Sequence, residues 1–253
     1  MPPPFSAVGV LAGSSDGALG QKVVMDGVRG ERRFFMYDLL RREYALAAAK
    51  QPPGRSEAIR ILDFAQAAYG DVVGLLGGRE DALLDSARDG DWSLRDVLRH
   101  AIAVELRYGA QVEYSATRAE SDPVEIRPDL LPCDRLSPPD PGFSSSRDGG
   151  VLDLLELLGK ARTTSDVRVA RVSDSTLMRP SLWGKARLDV RMRLHQFGVH
   201  LVETAIQIEK IVDGCDEARM IIRRCCSMRG LHERWSPADE RTILDESYRA
   251  LSV

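Results

Sequence analysis

The amino-acid sequence predicts an all-α protein, a four-helix bundle with a long crossover between helices 2 and 3 and with helical extensions at both ends. Long segments carry apolar residues at helical spacing, and capping residues stand at the ends of several of them. Alternating strand patterns are essentially absent. We therefore divide the chain into an arm with an accessory helix (residues 1–54), a bundle (55–213) and a helical extension packed on the bundle (214–253).

The arm is rich in Gly, Pro and Ser over its first 30 residues and shows no clear periodicity, which predicts an irregular segment. Its sequence GSSDGALGQK does not fit a phosphate-binding loop, because Lys22 does not directly follow Gly20 and is not followed by Ser or Thr. A helical pattern then runs from Glu31 to Lys50 and ends before two consecutive prolines, which predicts a short accessory helix.

The first bundle helix is predicted to follow Ser56, a residue type that caps helix N-termini. Apolar residues recur at helical spacing from Ile59 to Leu76, and Gly77 and Gly78 provide a helix end. The second bundle helix should begin at Leu94. Its signal is Ser93 as the cap with an acidic residue three positions later, an Asp variant of the capping box.

The crossover is the segment from about Ala119 to Gly150, which is rich in Pro and lacks periodicity. Such a long connection can cross a bundle from end to end, so that the helices it joins run parallel. The third helix is predicted over Val151–Arg171. The fourth is predicted from Lys185 to about Val212, after a break at Met178–Gly184.

The C-terminal extension is predicted to contain two shorter helices. The first covers Asp216–Arg229 and should end at Gly230, a residue type common just past helix C-termini. The cluster of Arg219, Arg223 and Arg224 on this helix is interpreted as a solvated face rather than an anion site. The second should start at Ser236-Pro237, which pairs a capping residue with Pro at the first helical position.

Composition excludes several classes of protein. A net charge of −3 gives no electrostatic reason to expect a nucleic-acid partner, and no apolar stretch approaches the roughly 20 residues of a membrane span. The four cysteines have no CxxC spacing, and two of them are adjacent, which indicates reduced thiols rather than disulfides or a structural zinc site. The N-terminal sequence lacks the basic region of a secretory signal, so we expect a cytoplasmic protein.

Two histidines are the best candidates for a site. At roughly 100° per residue, His200, Thr204 and Gln207 share one edge of the apolar arc of the fourth helix. His195 lies roughly 140° away from His200, so these two imidazoles cannot serve one metal on a regular helix. His100 sits at the edge of the apolar arc of the second helix and is the natural partner of His200.

Glu105 falls inside the apolar arc of the second helix, where an unpaired carboxylate would be costly to bury. We interpret it first as half of a buried ion pair, with Arg191 or Arg193 as the partner. Metal binding or acid–base work is the alternative. His195 and His232 are interpreted as structural or surface residues.

These residues carry a resemblance to a known family. WSLRDVLRHAIAVE (Trp92–Glu105) resembles the second helix of the DinB-like (damage-inducible, YfiT-like) four-helix-bundle superfamily, in which a Trp-Ser helix start is followed by a histidine and, five residues later, a glutamate. HLVETAIQIEK (His200–Lys210) is similar to the last core helix of that family. The long crossover also fits, and the similarity covers about residues 55–213.

The resemblance implies a divalent metal, usually zinc or nickel, held by three histidines. In some members it also implies transfer reactions that use a low-molecular-weight thiol such as mycothiol or bacillithiol. His100 matches the first ligand, His200 the second and Gln207 a typical glutamine, but Thr204 stands at the third ligand position. A neutral hydroxyl is a poor zinc ligand, so the sequence departs from the family at its metal site.

Three outcomes remain open at this stage. In the first, no metal is bound, and a pocket lined by Glu105, Thr204 and Gln207 beside the two histidines binds a small molecule or nothing. Glu105 or Glu203 can complete a changed site with His100 and His200. The protein can also be a structural or partner-binding homodimer, a common assembly among such relatives. We rank a weakly metal-binding or non-catalytic protein first, and a metal-dependent thiol S-transferase or hydrolase as the alternative.

Overall fold

The computed structural model describes residues 2, 5–87, 92–134, 149–212, 216–235 and 242–251. These residues are mostly helical, as the sequence predicts. The α-helices are α1 Ser6–Gly9, α2 Asp16–Leu19, α3 Arg32–Lys50, α4 Glu57–Leu76, α5 Leu94–Thr117, α6 Val151–Val169, α7 Val190–Ile211, α8 Glu217–Trp235 and α9 Asp245–Ala250. None of the helices in the described part of the chain is long and apolar enough to cross a membrane.

Two antiparallel β-hairpins correct the expectation that strands are absent. Strand β1 (Lys22–Met25) pairs with β2 (Val28–Glu31), and β3 (Pro180–Trp183) pairs with β4 (Ala186–Asp189). The first turn contains Asp26 and Gly27, both with positive φ, and the second contains Gly184, also with positive φ. Such two-residue turns match the twist of the flanking strands, and the hairpins pack on helices, β1–β2 on α3 and β3–β4 on α7.

Two of the predicted N-caps, Ser56 and Ser93, are confirmed. Ser56 accepts a hydrogen bond from the backbone N–H of Ile59 at the start of α4, and Ser93 accepts one from Asp96 at the start of α5. The Asp96 carboxylate also accepts the Ser93 hydroxyl proton, at 2.8 Å. These bonds satisfy backbone donors that have no partner inside the helix.

The predicted start of the fourth helix was wrong. It begins at Val190 instead of Lys185, because residues 186–189 form strand β4, and Asp189 caps the helix by accepting from the N–H of Met192. The predicted start of the last helix, at Ser236-Pro237, lies outside the described residues.

Helix α8 continues through Gly230, where the sequence predicted its end. A Cβ at Gly230 would lie 2.5 Å from the backbone oxygen of Gln66 on α4, so glycine is required for close packing rather than for capping. Gly70 and Gly74 of α4 face the α8 backbone in the same way. The glycines therefore allow the two helix backbones to approach closely.

The helix contacts place α4 at the centre of the described chain. It packs against α7 and α8 and also touches α6, whereas α5 packs against α6 and α7. Helix α3 packs on α8. Because α4 is covered on several sides, most of its residues are buried.

The N-terminal arm contains α1, α2 and the β1–β2 hairpin, which corrects the expectation of an irregular segment, and it is packed into the core. Phe5, Val8, Leu11 and Leu19 are buried in the same apolar cluster as residues of α4, α5, α6 and α8. Arg219 reinforces this packing. Its guanidinium donates to the carbonyl oxygens of Gly74 and Gly77 at the end of α4 and of Ala12 in the arm.

Two of the three α8 arginines that the sequence assigns to a solvated face, at positions 219, 223 and 224, are not solvated. Arg219 is buried, and Arg223 donates to Asp71 of α4 at 2.7 Å and also to Glu209 of α7. Arg224 is exposed. Cys225 and Cys226 are buried free thiols and Cys133 is a partly buried one, whereas Cys215 lies outside the described residues.

Candidate functional site

A cavity of about 650 Å³ opens between α5, α7, the β3–β4 hairpin and the segment that follows α5. Both predicted histidines line it. The other lining residues are Val104, Arg107, Tyr108, Gln111, Ser115, Val124, Glu125, Ile126, Pro128, Leu131, Cys133, Asp134, Ser181, Leu182, Trp183, Gly184, Glu203, Thr204 and Gln207. This volume is in the range that accommodates a small organic molecule.

The two imidazoles meet although 100 residues separate them in the sequence. The ring centroids of His100 on α5 and His200 on α7 lie 5.1 Å apart, with the ring planes at 62°. Trp92 packs edge-on against His100, and Tyr108 packs edge-on against His200. These aromatic contacts fix both rings at the wall of the cavity.

Burial holds His200 in its neutral form. Burial, and to a smaller extent the neighbouring imidazole of His100, lower the pKa of His200 from 6.5 to about 4. A neutral imidazole has one nitrogen with a free lone pair, which can accept a hydrogen bond or bind a metal ion. At neutral pH His200 is therefore available as an acceptor or a ligand.

Thr204 lies one turn after His200, and its hydroxyl donates to the backbone oxygen of His200 at 2.8 Å. The proton of the Thr204 hydroxyl therefore points along the helix and is not available to donate to a ligand in the cavity. Gln207 and Glu203 line the cavity from the same helix, and both are exposed. The structure thus brings His100, His200, Glu203, Thr204 and Gln207 to one cavity.

Glu105 is not among the residues that line the cavity. Its carboxylate accepts from the guanidinium of Arg162 on α6 at 2.6 Å, and both side chains are almost fully buried. The predicted partners were wrong: Arg191 binds Glu57 on α4, and Arg193 donates to Gln111 and Gln196. Burial raises the pKa of Glu105 to about 7, against the attraction of Arg162.

A three-ligand metal site is not assembled by the described residues. Among them, no three His, Cys, Asp or Glu side chains are close enough together to hold a metal ion. A catalytic zinc usually takes three protein ligands and one open position. His100 and His200 fit as two of those ligands. Thr204 at the third position does not fit, because its neutral hydroxyl is a poor zinc ligand and donates to the backbone of His200.

The far end of the cavity carries two hydroxyl groups that the sequence did not reveal as site residues. Ser115 on α5 and Ser181 on β3 are buried, and their hydroxyl oxygens lie 2.8 Å apart. Trp183 and Gly184 continue this wall along the hairpin. The turn at Gly184-Lys185, between two short polar and apolar alternations, is the signal that could have predicted the hairpin.

Arg193 contacts two of the residues that line the cavity, Tyr108 and Gln111. The guanidinium carbon of Arg193 lies 4.7 Å from the ring centroid of Tyr108, and the same guanidinium donates to Gln111. Burial lowers the pKa of Arg193 to about 10. The aromatic ring and the amide therefore hold this charge in place and fix two of the lining residues.

The other two histidines lie outside the cavity. His195 is exposed on another face of α7, as its angular position predicts. His232 is buried between α8 and α3, and its Nδ1 lies 2.9 Å from a carboxylate oxygen of Glu43. Burial raises the pKa of the Cys133 thiol at the cavity wall to about 11, which makes it a weak nucleophile at neutral pH.

Comparisons of the chain with models of protein families, with curated proteins and with solved structures found no match.

Proposed function

We propose that this chain is a DinB-like bundle protein that binds a small molecule in the α5–α7 cavity, has a degenerate two-histidine metal site, and is not a catalyst. The proposal is carried by one observation: His100 and His200 meet at 5.1 Å on the wall of a cavity of about 650 Å³, while the hydroxyl of Thr204 is bound to the helix backbone. The motifs at Trp92–Glu105 and His200–Lys210 are the basis of the family assignment.

The helix contacts support the bundle part of the proposal. Helix α4 packs on α7, α7 on α5, α5 on α6, and α6 touches α4, which makes a closed ring of four helices. We propose that these four helices form the bundle and that the segment between α5 and α6 is its crossover. A bundle of this kind builds its sites from side chains on facing helices, here α5 and α7.

The mixture of cavity residues favours a polar organic ligand, because the lining exposes more polar than apolar surface and carries both acidic and basic side chains. Apolar side chains such as Val104 and Leu182 would cover its surface, while Gln111 and the Ser115–Ser181 pair would orient it through hydrogen bonds. Small-molecule sites commonly use such placed polar groups to fix the orientation of the ligand.

Metal binding by two imidazoles should be weak. With His100 and His200 alone, at least two positions of a tetrahedral ion are left to water or to the ligand. We expect Zn²⁺ and Ni²⁺ to bind with micromolar or weaker affinity, in the pH range where imidazole is neutral.

Calorimetric titration of the untagged protein with Zn²⁺ and Ni²⁺ tests this expectation. Binding should be lost in His100→Ala and in His200→Ala, and retained in His195→Ala, a matched control on the exposed face of α7. Thr204→His would add an imidazole one turn from His200, and should tighten binding about tenfold or more if the third position is what the site lacks.

Two results would contradict the proposal. Stoichiometric metal that copurifies with the wild-type chain and resists dialysis would show that the site is complete. A rate of thiol transfer to a model electrophile above the metal-free background, with any of several low-molecular-weight thiols, would show that the protein is a catalyst.

A further inference from the structure

Arg193 is a buried cation that has no carboxylate partner among the described residues. Its side chain is 0% exposed, and its guanidinium donates to the neutral amide oxygens of Gln111 and Gln196. Its Nε atom has no acceptor in the part of the chain that the structure describes. A buried charge is costly unless an opposite charge and a full set of hydrogen bonds compensate it. The charge of Arg193 is therefore only partly compensated by the protein.

Three other buried arginines are better compensated. Arg162 and Arg229 each donate to a buried glutamate. Arg219 donates to backbone carbonyl oxygens at the C-terminal end of α4, where the helix dipole places negative partial charge. Arg193 has only two amide oxygens and the face of the Tyr108 ring. This difference makes Arg193 the buried cation to which an anion would add most.

Free hydrogen-bond donors stand between Arg193 and the α5–α7 cavity. A guanidinium has no acceptor atom, so the oxygen of the Gln111 amide must face it, and the NH2 group is left to donate elsewhere. Ser115 lies one turn further along α5 and shares one hydrogen bond with Ser181, which uses one of their two hydroxyl protons. The second hydroxyl proton is left to donate. Gln111, Ser115 and Ser181 all line the cavity.

We propose that the amide of Gln111 and the hydroxyl groups of Ser115 and Ser181 bind the carboxylate of an organic monoanion. Arg193 supplies the positive charge behind them, and we call these four residues the anion subsite. The inference rests on the proposed function, since it names the class of molecule that the cavity binds. Donors match an oxyanion, and a single cation matches a single negative charge. None of the four residues lies in the two stretches that carry the family resemblance.

The anion subsite and the histidine pair occupy different parts of the cavity. The rise along α5 from His100 to Gln111 is roughly 16 Å at 1.5 Å per residue. Val104 and Tyr108 line the wall between them. A monoanion with an apolar body can therefore place its carboxylate at the anion subsite and its body against these side chains, without contacting the histidines.

The acidic residues of the cavity oppose an anion only weakly. Glu125, Asp134 and Glu203 line the cavity, and all three are exposed. Water and salt screen exposed charges, whereas a buried charge acts through a medium of lower effective dielectric constant. Arg193 remains protonated at neutral pH, because its pKa is lowered only to about 10. The buried cation therefore outweighs the exposed carboxylates at the anion subsite.

Two probes that differ in charge and have nearly the same shape test the anion subsite. 4-Phenylbutyrate and 4-phenylbutyramide are titrated into the ¹⁵N-labelled intact chain, with a chelator present so that no metal occupies the histidines. NMR follows the side-chain amide of Gln111 and the indole of Trp183, which both line the cavity. The carboxylate should bind about tenfold more tightly than the amide or better, and it should shift the Gln111 side-chain resonance.

Substitutions assign the preference to the anion subsite. Arg193→Met should weaken carboxylate binding about tenfold or more and leave amide binding unchanged, and Arg193→Lys, which keeps the charge, should restore most of the preference. Ser181→Ala should weaken carboxylate binding by roughly the same factor without removing a buried charge. The matched control is Ser175→Ala, because Ser175 belongs to an exposed pair of serine hydroxyls, with Ser173 at 2.7 Å, outside the cavity. Circular dichroism melting establishes that each variant is folded.

The outcomes separate the anion subsite from cavity binding itself. Equal affinity for the two probes, or carboxylate binding that is unchanged in both Arg193→Met and Ser181→Ala, would overturn the anion subsite and leave small-molecule binding in the cavity standing. A carboxylate that shifts Trp183 without shifting the Gln111 side chain would also overturn it. Binding of neither probe at millimolar concentration would overturn the anion subsite and count against the proposed function as well.

Discussion

Replacing Arg162 with Met should destabilise the fold more than any surface charge deletion on the same helix. The substitution leaves Glu105 buried without its cationic partner, from which it accepts a hydrogen bond at 2.6 Å. Removal of one member of a buried pair typically costs about 3–5 kcal/mol, because the remaining charge is uncompensated. For a chain of this size that loss corresponds to a decrease in Tm of roughly 6–20 °C.

Arg168→Met is the matched control, because Arg168 lies on the same helix and pairs with Glu113 at 3.0 Å while both side chains are about 40% exposed. An exposed pair contributes only about 0–1 kcal/mol. Urea unfolding at neutral pH, followed by circular dichroism, gives the free energy of unfolding of each variant. The double variant Glu105→Leu/Arg162→Met should recover most of the loss.

Equal destabilisation by Arg162→Met and Arg168→Met would refute this reasoning. It would mean that Glu105 finds another partner or becomes protonated at little cost when Arg162 is absent. The raised pKa of Glu105 makes protonation the relevant alternative. Repeating the measurement at pH 5 distinguishes the two cases, since a protonated Glu105 should make the Arg162→Met variant relatively more stable at the lower pH.

Two further predictions concern pH and helix packing. The pKa of His200 is lowered to about 4, so the unfolded chain binds more protons than the folded chain between pH 4 and 6.5. The free energy of unfolding should therefore decrease by at most about 3 kcal/mol as the pH falls through this window. Urea unfolding with a chelator present should show a smaller decrease in His200→Gln than in the wild type. Parallel pH profiles of the two proteins would contradict this. Gly230→Ala should lower the free energy of unfolding by about 1–3 kcal/mol, because the added Cβ forces α8 away from α4 even though Ala favours a helix. Gly20→Ala is the control and should be neutral, because its added Cβ meets no atom within 4 Å. Thermal unfolding of both glycine variants checks this, and a neutral Gly230→Ala would show that the two helices can separate freely.

The helices that the sequence predicts well are those with local signals. Ser56 and Ser93 identify helix starts because a cap requires only a side-chain oxygen next to the first free N–H groups. The predicted helix end at Gly230 was wrong for a physical reason. Glycine serves both as a helix end and as a point of close helix contact, and only the position of α4 decides between the two.

The site residues also fall into those that local periodicity predicts and those that depend on tertiary packing. His200, Thr204 and Gln207 were placed on one edge of a helix by angular periodicity, which needs no tertiary information. The partner of Glu105 was missed, because Arg162 comes from a helix whose rotation the sequence does not determine. Ser115 and Ser181 were missed because a pair of serines becomes recognisable only when the hairpin packs against α5.

The ion pair of Glu105 also limits how the histidine site could ever be completed. If Glu105 turned toward His100 and His200, it would leave Arg162 with fewer partners in the core, at the cost of breaking a buried pair. Thr204 would have to give up its bond to the backbone of His200. The remaining donor is Glu203, which is exposed and lines the cavity, or a donor atom of the bound molecule itself. A ligand that supplies that atom would bind more tightly with the metal present, and by thermodynamic reciprocity the metal would bind more tightly with the ligand present.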